Sequence, residues 1–110
     1  MEKIVQQALL YDFYGELLNE HQKSVYEEYV LDNLSLGEIA EELGISRQAV
    51  FDLIKRIDKT LNGYEDKLHL VSRFLSIKGK VNEIDEVARS IENDAGRRII
   101  SITEEILDEL

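Results

Sequence analysis

The sequence contains no cysteine and no proline. Without cysteine there can be no disulfide, no thiolate metal ligand and no cysteine nucleophile. Without proline, helices can run long, and no proline-rich linker divides the chain. No apolar run approaches the roughly 18 residues that a membrane span requires. The first twenty residues carry carboxylates where a signal peptide would continue its apolar core, so a cytoplasmic location without membrane contact is expected. Positive charge is scarce as well. Thirteen Lys+Arg stand against 23 Asp+Glu, a formal net charge of −10. Polyanion binders normally carry a basic footprint, so this balance argues against strong nonspecific DNA binding and against RNA binding by the acidic faces. What is present suffices for a core: 44% of the 110 residues are hydrophobic, which suits one domain or a small domain with an appended element.

Periodicity and capping residues point to helices throughout. No stretch alternates in the manner of a strand bounded by hairpin turns, so the expected class is all-α. Ile4, Ala8, Leu9, Phe13, Leu17 and Leu18 predict a first helix over 3–18, with Gly15 a weak point in it. Asn19 and Gln22 form a capping-box pattern opening a second helix over 20–31, with Val25, Tyr26, Tyr29 and Val30 on its apolar face. Asp32-Asn33 makes a turn, Ser35 with Glu38 forms a second box, Gly44 is placed to take positive φ, and Ser46 caps the next helix.

From there Val50, Ile54, Ile57, Leu61, Tyr64, Leu68, Val71 and Leu75 alternate in steps of four and three. That heptad stripe predicts one helix from 47 to about 77, roughly 46 Å long at about 1.5 Å per residue, ended by Gly79. Asp58, Glu65 and Lys67 form a weak charged frame beside it. Val81, Ile84, Val87, Ala88 and Ile91 suggest another helix, Asn93-Asp94 with Gly96 a bend, and Ile99, Ile102, Ile106 and Leu110 a last helix. The expected division is a helical domain over 1–63 and an extension over 64–110 that continues the long helix.

Residues 35–57 meet the demands of a helix-turn-helix at several positions together. Ala40 is small where the two helices cross, Gly44 stands in the turn, and Ile39, Leu43, Ile45, Val50 and Leu53 are spaced to lock the second helix onto the first. In a DNA reader the start of that second helix, here 47–57, enters the major groove. It would offer Ser46, Arg47, Gln48 and Phe51, with Arg47 suited to guanine and Gln48 to adenine. Lys55, Arg56 and Lys59 would lie against phosphates, while Asp52 would repel them. Residues 34–63 hold four basic and five acidic side chains, and residues 1–33 two and seven, so any hold on DNA should be weak and salt-sensitive. An exposed Phe51 suits protein contact at least as well as DNA contact.

The block DFYGELL at 12–18, the box Asn19–Gln22 and SLGEIAEELGISRQAVFDLIKR at 35–56 resemble the YlxM family, small bacterial helix-turn-helix proteins related in their central part to region 4 of sigma factors. The resemblance covers about residues 8–75. It departs from the family's common pattern at Asn19, where threonine is frequent, at Phe51, where tyrosine is, and at Leu53, where a polar residue is. It implies a bacterial cytoplasmic protein. Family genes tend to neighbour that of the signal recognition particle's GTPase, which implies an accessory role in that pathway.

Nothing else in the chain carries chemistry. His21 and His69 have no second ligand-type histidine at helical spacing, adjacent carboxylates such as Glu27-Glu28 do not face one another on a helix, and no phosphate loop is present. The tyrosines fall mostly on apolar stripes and read as packing. The expectation is therefore a non-enzymatic regulatory protein without metal or cofactor. It would act through protein contacts, with the particle's GTPase as the implied partner. A DNA-binding transcription regulator or a sigma-like module stands as the alternative. Leu61, Tyr64, Leu68, Val71, Phe74 and Leu75 would carry self-association as a homodimer, or would receive the later helices within one chain. Leu70, Phe74 and Ile77 exceed what one narrow seam needs.

Overall fold

A computed structural model describes residues 2–110. Six α-helices follow in order: α1 (Lys3–Tyr14), α2 (Glu20–Val30), α3 (Leu36–Leu43), α4 (Arg47–Leu68), α5 (Leu70–Arg89) and α6 (Asp94–Glu109), with a 3-10 turn, Gly15–Leu17, between α1 and α2. No strand occurs among the described residues. The chain divides into two compact units, one ending at His69 and one running from Leu70 to Leu110. The division falls later than the boundary expected after residue 63.

In the first unit α4 is the central element, packed against α1, α2 and α3. Its inner stripe of Val50, Ile54, Ile57 and Leu61 is buried, together with Ile39 and Ala40 of α3, Val25 and Tyr26 of α2, and Tyr14 of α1. Each large apolar side chain so placed contributes about 1.5–3 kcal/mol. The caps follow the sequence. Asn19 accepts from the Gln22 N–H at 2.8 Å while Gln22 answers the Asn19 N–H at 3.1 Å, and Ser35 with Glu38 does the same.

Three expectations need correction. The first helix ends at Tyr14 instead of continuing to residue 18, because Gly15 tightens into the 3-10 turn under the Tyr11 ring; the Leu18 N–H then bonds the Gly15 carbonyl at 3.0 Å. Ile45, expected to lock the two helices of the motif, is 42% exposed at the end of the turn, where its N–H bonds the Ala40 carbonyl. The predicted helix from 47 to about 77 is two helices. His69 adopts the left-handed conformation at φ 56 and its N–H bonds the Glu65 carbonyl, a helix stop made without glycine. Asn62-Gly63 stays helical, and Gly79 lies inside α5 instead of ending it.

The second unit is a hairpin of α5 and α6. Val81 and Ala88 are buried with Thr103, whose hydroxyl donates to Asp85 at 2.8 Å. Arg89 donates to the same carboxylate at 2.8 Å and also reaches Glu104 at 3.4 Å. These bonds, that from Arg89 foremost, hold the Asp85 carboxyl below its ordinary range. Asn93 caps α6 by accepting from the Gly96 N–H at 3.1 Å. Gly96 is buried under the Ala88 and Ile91 carbonyls, and an added Cβ would come within 2.9 Å of the first and closer to the second.

The two buried or turning glycines should therefore respond differently. At Gly44, φ is 69 and a Cβ would meet nothing, so Gly44→Ala should cost about 1 kcal/mol of conformational strain. Gly96→Ala forces backbone apart and should cost on the order of 2–3 kcal/mol. Urea unfolding followed by circular dichroism would give this order, and equal losses would contradict it.

Candidate functional site

The outward surface of the helix-turn-helix is built by the N-terminal half of α4 and the whole of α3. Ser46 caps α4 by accepting from the Ala49 N–H at 3.0 Å, so its hydroxyl oxygen already has a partner. Arg47, exposed, lies across α3: its Nε would stand 2.9 Å from a Cβ built on Gly37. Gln48 donates to Asp52 at 3.0 Å, one turn along. The Phe51 ring, 41% exposed, has the Lys55 ammonium 5.3 Å from its centre, a cation–π contact. Ser46, Gln48 and Phe51, three of the residues expected to read bases, are thus engaged within the unit, and Arg56 and Lys59 lie exposed further along the helix. None of Arg47, Lys55, Arg56 and Lys59 enters an ion pair among the described residues.

The acids of α4 explain how those cations stay unpaired. Tyr26, fully buried, donates its hydroxyl to Asp58 at 2.5 Å, and the buried Gln7 amide donates to both oxygens of that carboxylate at 3.1 Å. Tyr14 donates to Glu65 at 2.5 Å. Burial, and then the neighbouring carboxylate, push the Tyr26 hydroxyl far above its ordinary pKa, so it remains a donor at all physiological pH. Tyr11 makes a third such bond, to Glu27 at 2.5 Å. Counting charges along the sequence treated Asp58 as a repulsive surface acid. Its place is on the inner side of α4, serving the packing of α1 and α2, and only Asp52 interrupts the cations of the first turns. The sequence reading missed these pairs because Gln7 and Asp58, or Tyr14 and Glu65, stand 51 positions apart. One signal was available: Asp58 directly follows Ile57 and sits one turn after Ile54, at the margin of the buried stripe.

The α3 surface has the opposite sign. Its eight residues, LGEIAEEL, include Glu38, Glu41 and Glu42, all exposed, and no cation. Glu38 is held ionised, its carboxyl lowered by the backbone and side-chain bonds with Ser35. With Leu34 these glutamates line a shallow depression of about 380 Å³. Glu28 of α2 faces the same region. Partial burial, then a hydrogen bond with Glu42, then the charges of Glu42 and Asp32 raise its carboxyl pKa.

The residues expected to self-associate are dispersed. Leu61 is fully buried in the first unit's core, and Tyr64 is half-buried with its ring 6.0 Å from that of Tyr14. Leu68 and Leu75 are exposed, Val71 is buried, and Phe74 is half-buried with the Lys78 ammonium 5.7 Å from its ring centre. Because α4 stops at His69, the eight positions of the stripe do not lie on one helix. Among the described residues no group of three His, Asp or Glu could hold a metal ion, and no helix is long and apolar enough to cross a membrane.

Two capped helices, α3 and α4, packed together with Ala40 buried and joined through the left-handed Gly44, define a helix-turn-helix protein. Residues 1–102 match the UPF0122 family, described as YlxM/p13-like helix-turn-helix proteins, and the chain belongs to that family. It is 48% identical over 88 residues to UPF0122 protein YlxM of Bacillus subtilis, covering 80% of each chain. It is 46% identical to the UPF0122 protein Teth514_1714 of Thermoanaerobacter sp., covering 94% of this chain and 89% of the relative. A UPF0122 protein of Acetivibrio thermocellus is 41% identical and matches 100% of this chain and 97% of its own length.

The carboxylate cluster carries a stability prediction. A carboxyl whose folded pKa is raised takes up protons more readily when folded, so stability falls as pH rises through that range, and the penalty is fully present at neutral pH. Glu42→Gln should raise stability by a few tenths of a kcal/mol at about pH 7, and the gain should vanish below about pH 4, where the carboxyls are protonated. Urea midpoints at the two pH values would show this; a gain independent of pH would contradict it.

Proposed function

We propose that this protein is a non-enzymatic accessory or regulatory factor that works through protein contacts, and that its acidic α2–α3 face docks a basic surface of its partner. The observation that carries this reading is the composition of α3. In a DNA-reading helix-turn-helix the first helix crosses the phosphate backbone. Here that helix carries Glu38, Glu41 and Glu42 and no cation of its own, with Glu28 beside them and Arg47 of α4 lying across its Gly37. Phosphates would be repelled, whereas an Arg- or Lys-rich surface would be drawn in, since opposite charge speeds encounter and suppresses wrong partners. The engagement of Ser46, Gln48 and Phe51 within the unit supports the same reading. The resemblance to the YlxM family suggests where such contacts act: the signal recognition particle pathway in the cytoplasm, with the particle's GTPase as partner.

A second reading rests on Arg47, Lys55, Arg56 and Lys59, which are exposed and outside any ion pair among the described residues. These could hold a phosphate backbone in a regulator or sigma-like module.

Affinity capture from cytosol, with and without nuclease, separates the two. On the first reading the particle's GTPase is retained after nuclease treatment, is lost when Glu41→Lys and Glu42→Lys are combined, and is kept by the Lys55→Ala, Arg56→Ala variant. Capture that disappears with nuclease, or that depends on Lys55 and Arg56, would refute it.

A further inference from the structure

The second unit has a core too small for its apolar content. Within residues 70–110 the side chains of Val81, Ala88 and Thr103 are buried between the helices, while Ile77, Ile84, Val87, Ile91 and Ile102 remain 37–64% exposed. Chains near 40 residues seldom bury enough surface to be stable alone, and oligomerisation is one of the usual remedies. The exposed set is ordered. Ile77 and Ile84 stand one heptad apart on α5, the period that keeps a seam facing a partner helix, and Ile91 follows just past the helix end. Ile84, Val87 and Ile91 join Ile99 of α6 in a groove of about 380 Å³.

We infer that this α5–α6 face is the contact surface between two copies of the chain. Two charge patterns select a second copy over a foreign helix. The groove has two charged lining residues, Lys80 and Glu83, of opposite sign and one turn apart on α5. Copies related by a two-fold axis can exchange them, Lys80 of each beside Glu83 of the other, as a self-complementary interface requires. The second pattern is in α6. Its first five residues include Arg97 and Arg98, and its last two turns hold Glu104, Glu105, Asp108 and Glu109. Apart from Asp94, this opposes the helix's own dipole, which favours acids at the start and cations at the end. Antiparallel pairing of two such helices sets basic starts against acidic ends. Residues 70–110 also carry nine acids against six bases, compared with fourteen against seven in residues 1–69, so like-charge repulsion opposes association least in this unit.

Sedimentation equilibrium on the full chain tests the inference. The wild type should weigh roughly 25 kDa, twice the 12.7 kDa chain, at tens of micromolar. Val87→Glu should return the mass to that of one chain with the helical circular dichroism unchanged, because this position is 64% exposed. Lys80→Glu, at an exposed position outside the buried core, is the second variant should Val87→Glu lose structure, and it should weaken the dimer at least tenfold. A single-chain mass for the wild type would assign the face to a different protein and overturn the inference, as would a dimer that both variants leave intact.

Discussion

Everything in the first unit depends on the burial of one stripe of α4. Val50, Ile54, Ile57 and Leu61 are at most 4% exposed, and α1, α2 and α3 are each placed by packing against that stripe. The hydrophobic term supplies most of the stabilisation but little direction. Direction comes from the polar bonds at the margin of the stripe. Asp58 holds α1 through Gln7 and α2 through Tyr26, and Glu65 holds α1 through Tyr14. These bonds are partly buried, where a lost partner leaves a desolvated group behind, so they fix how each helix meets α4 as well as adding stability.

The same arrangement sorts the charge. Over residues 47–59 of α4 the count is four cations, Arg47, Lys55, Arg56 and Lys59, against two acids, Asp52 and Asp58. Once Asp58 is committed to Tyr26 and Gln7, the outward side is cationic apart from Asp52. The neighbouring α3 is wholly acidic on its exposed side. A helix-turn-helix with one positive and one negative helix cannot lay both along a phosphate backbone without repulsion at the second. It can meet a protein whose surface is equally divided.

Much of the fold was legible in the sequence, and the legible parts share a cause. Asn19–Gln22, Ser35–Glu38, Gly44 and Ser46 act on backbone groups within four residues, so their spacing alone identifies them. The family resemblance rested on the same local motifs. The helix stop at His69 was not legible, because a heptad stripe reports side-chain direction and is silent about a single residue turning to φ 56. The 3-10 turn under Tyr11 and the tyrosine–carboxylate pairs were hidden for a different reason: each joins side chains brought together only by the packed fold. Of the candidate site, Arg47, Gln48, Phe51, Lys55 and Arg56 of α4 are exposed, as helical spacing placed them, whereas the direction of its acids needed coordinates. Leu61 is the clearest case of a stripe position serving the core and not a partner.

The central claim is that the acidic α3 turns this helix-turn-helix away from polyphosphates. Fluorescence anisotropy with labelled duplex DNA, titrated with the full chain at about 0.15 M salt, tests it most directly. The account predicts no saturable complex tighter than the roughly micromolar range of nonspecific binding. Nanomolar binding with a steep salt dependence, abolished by Arg47→Ala, would contradict it.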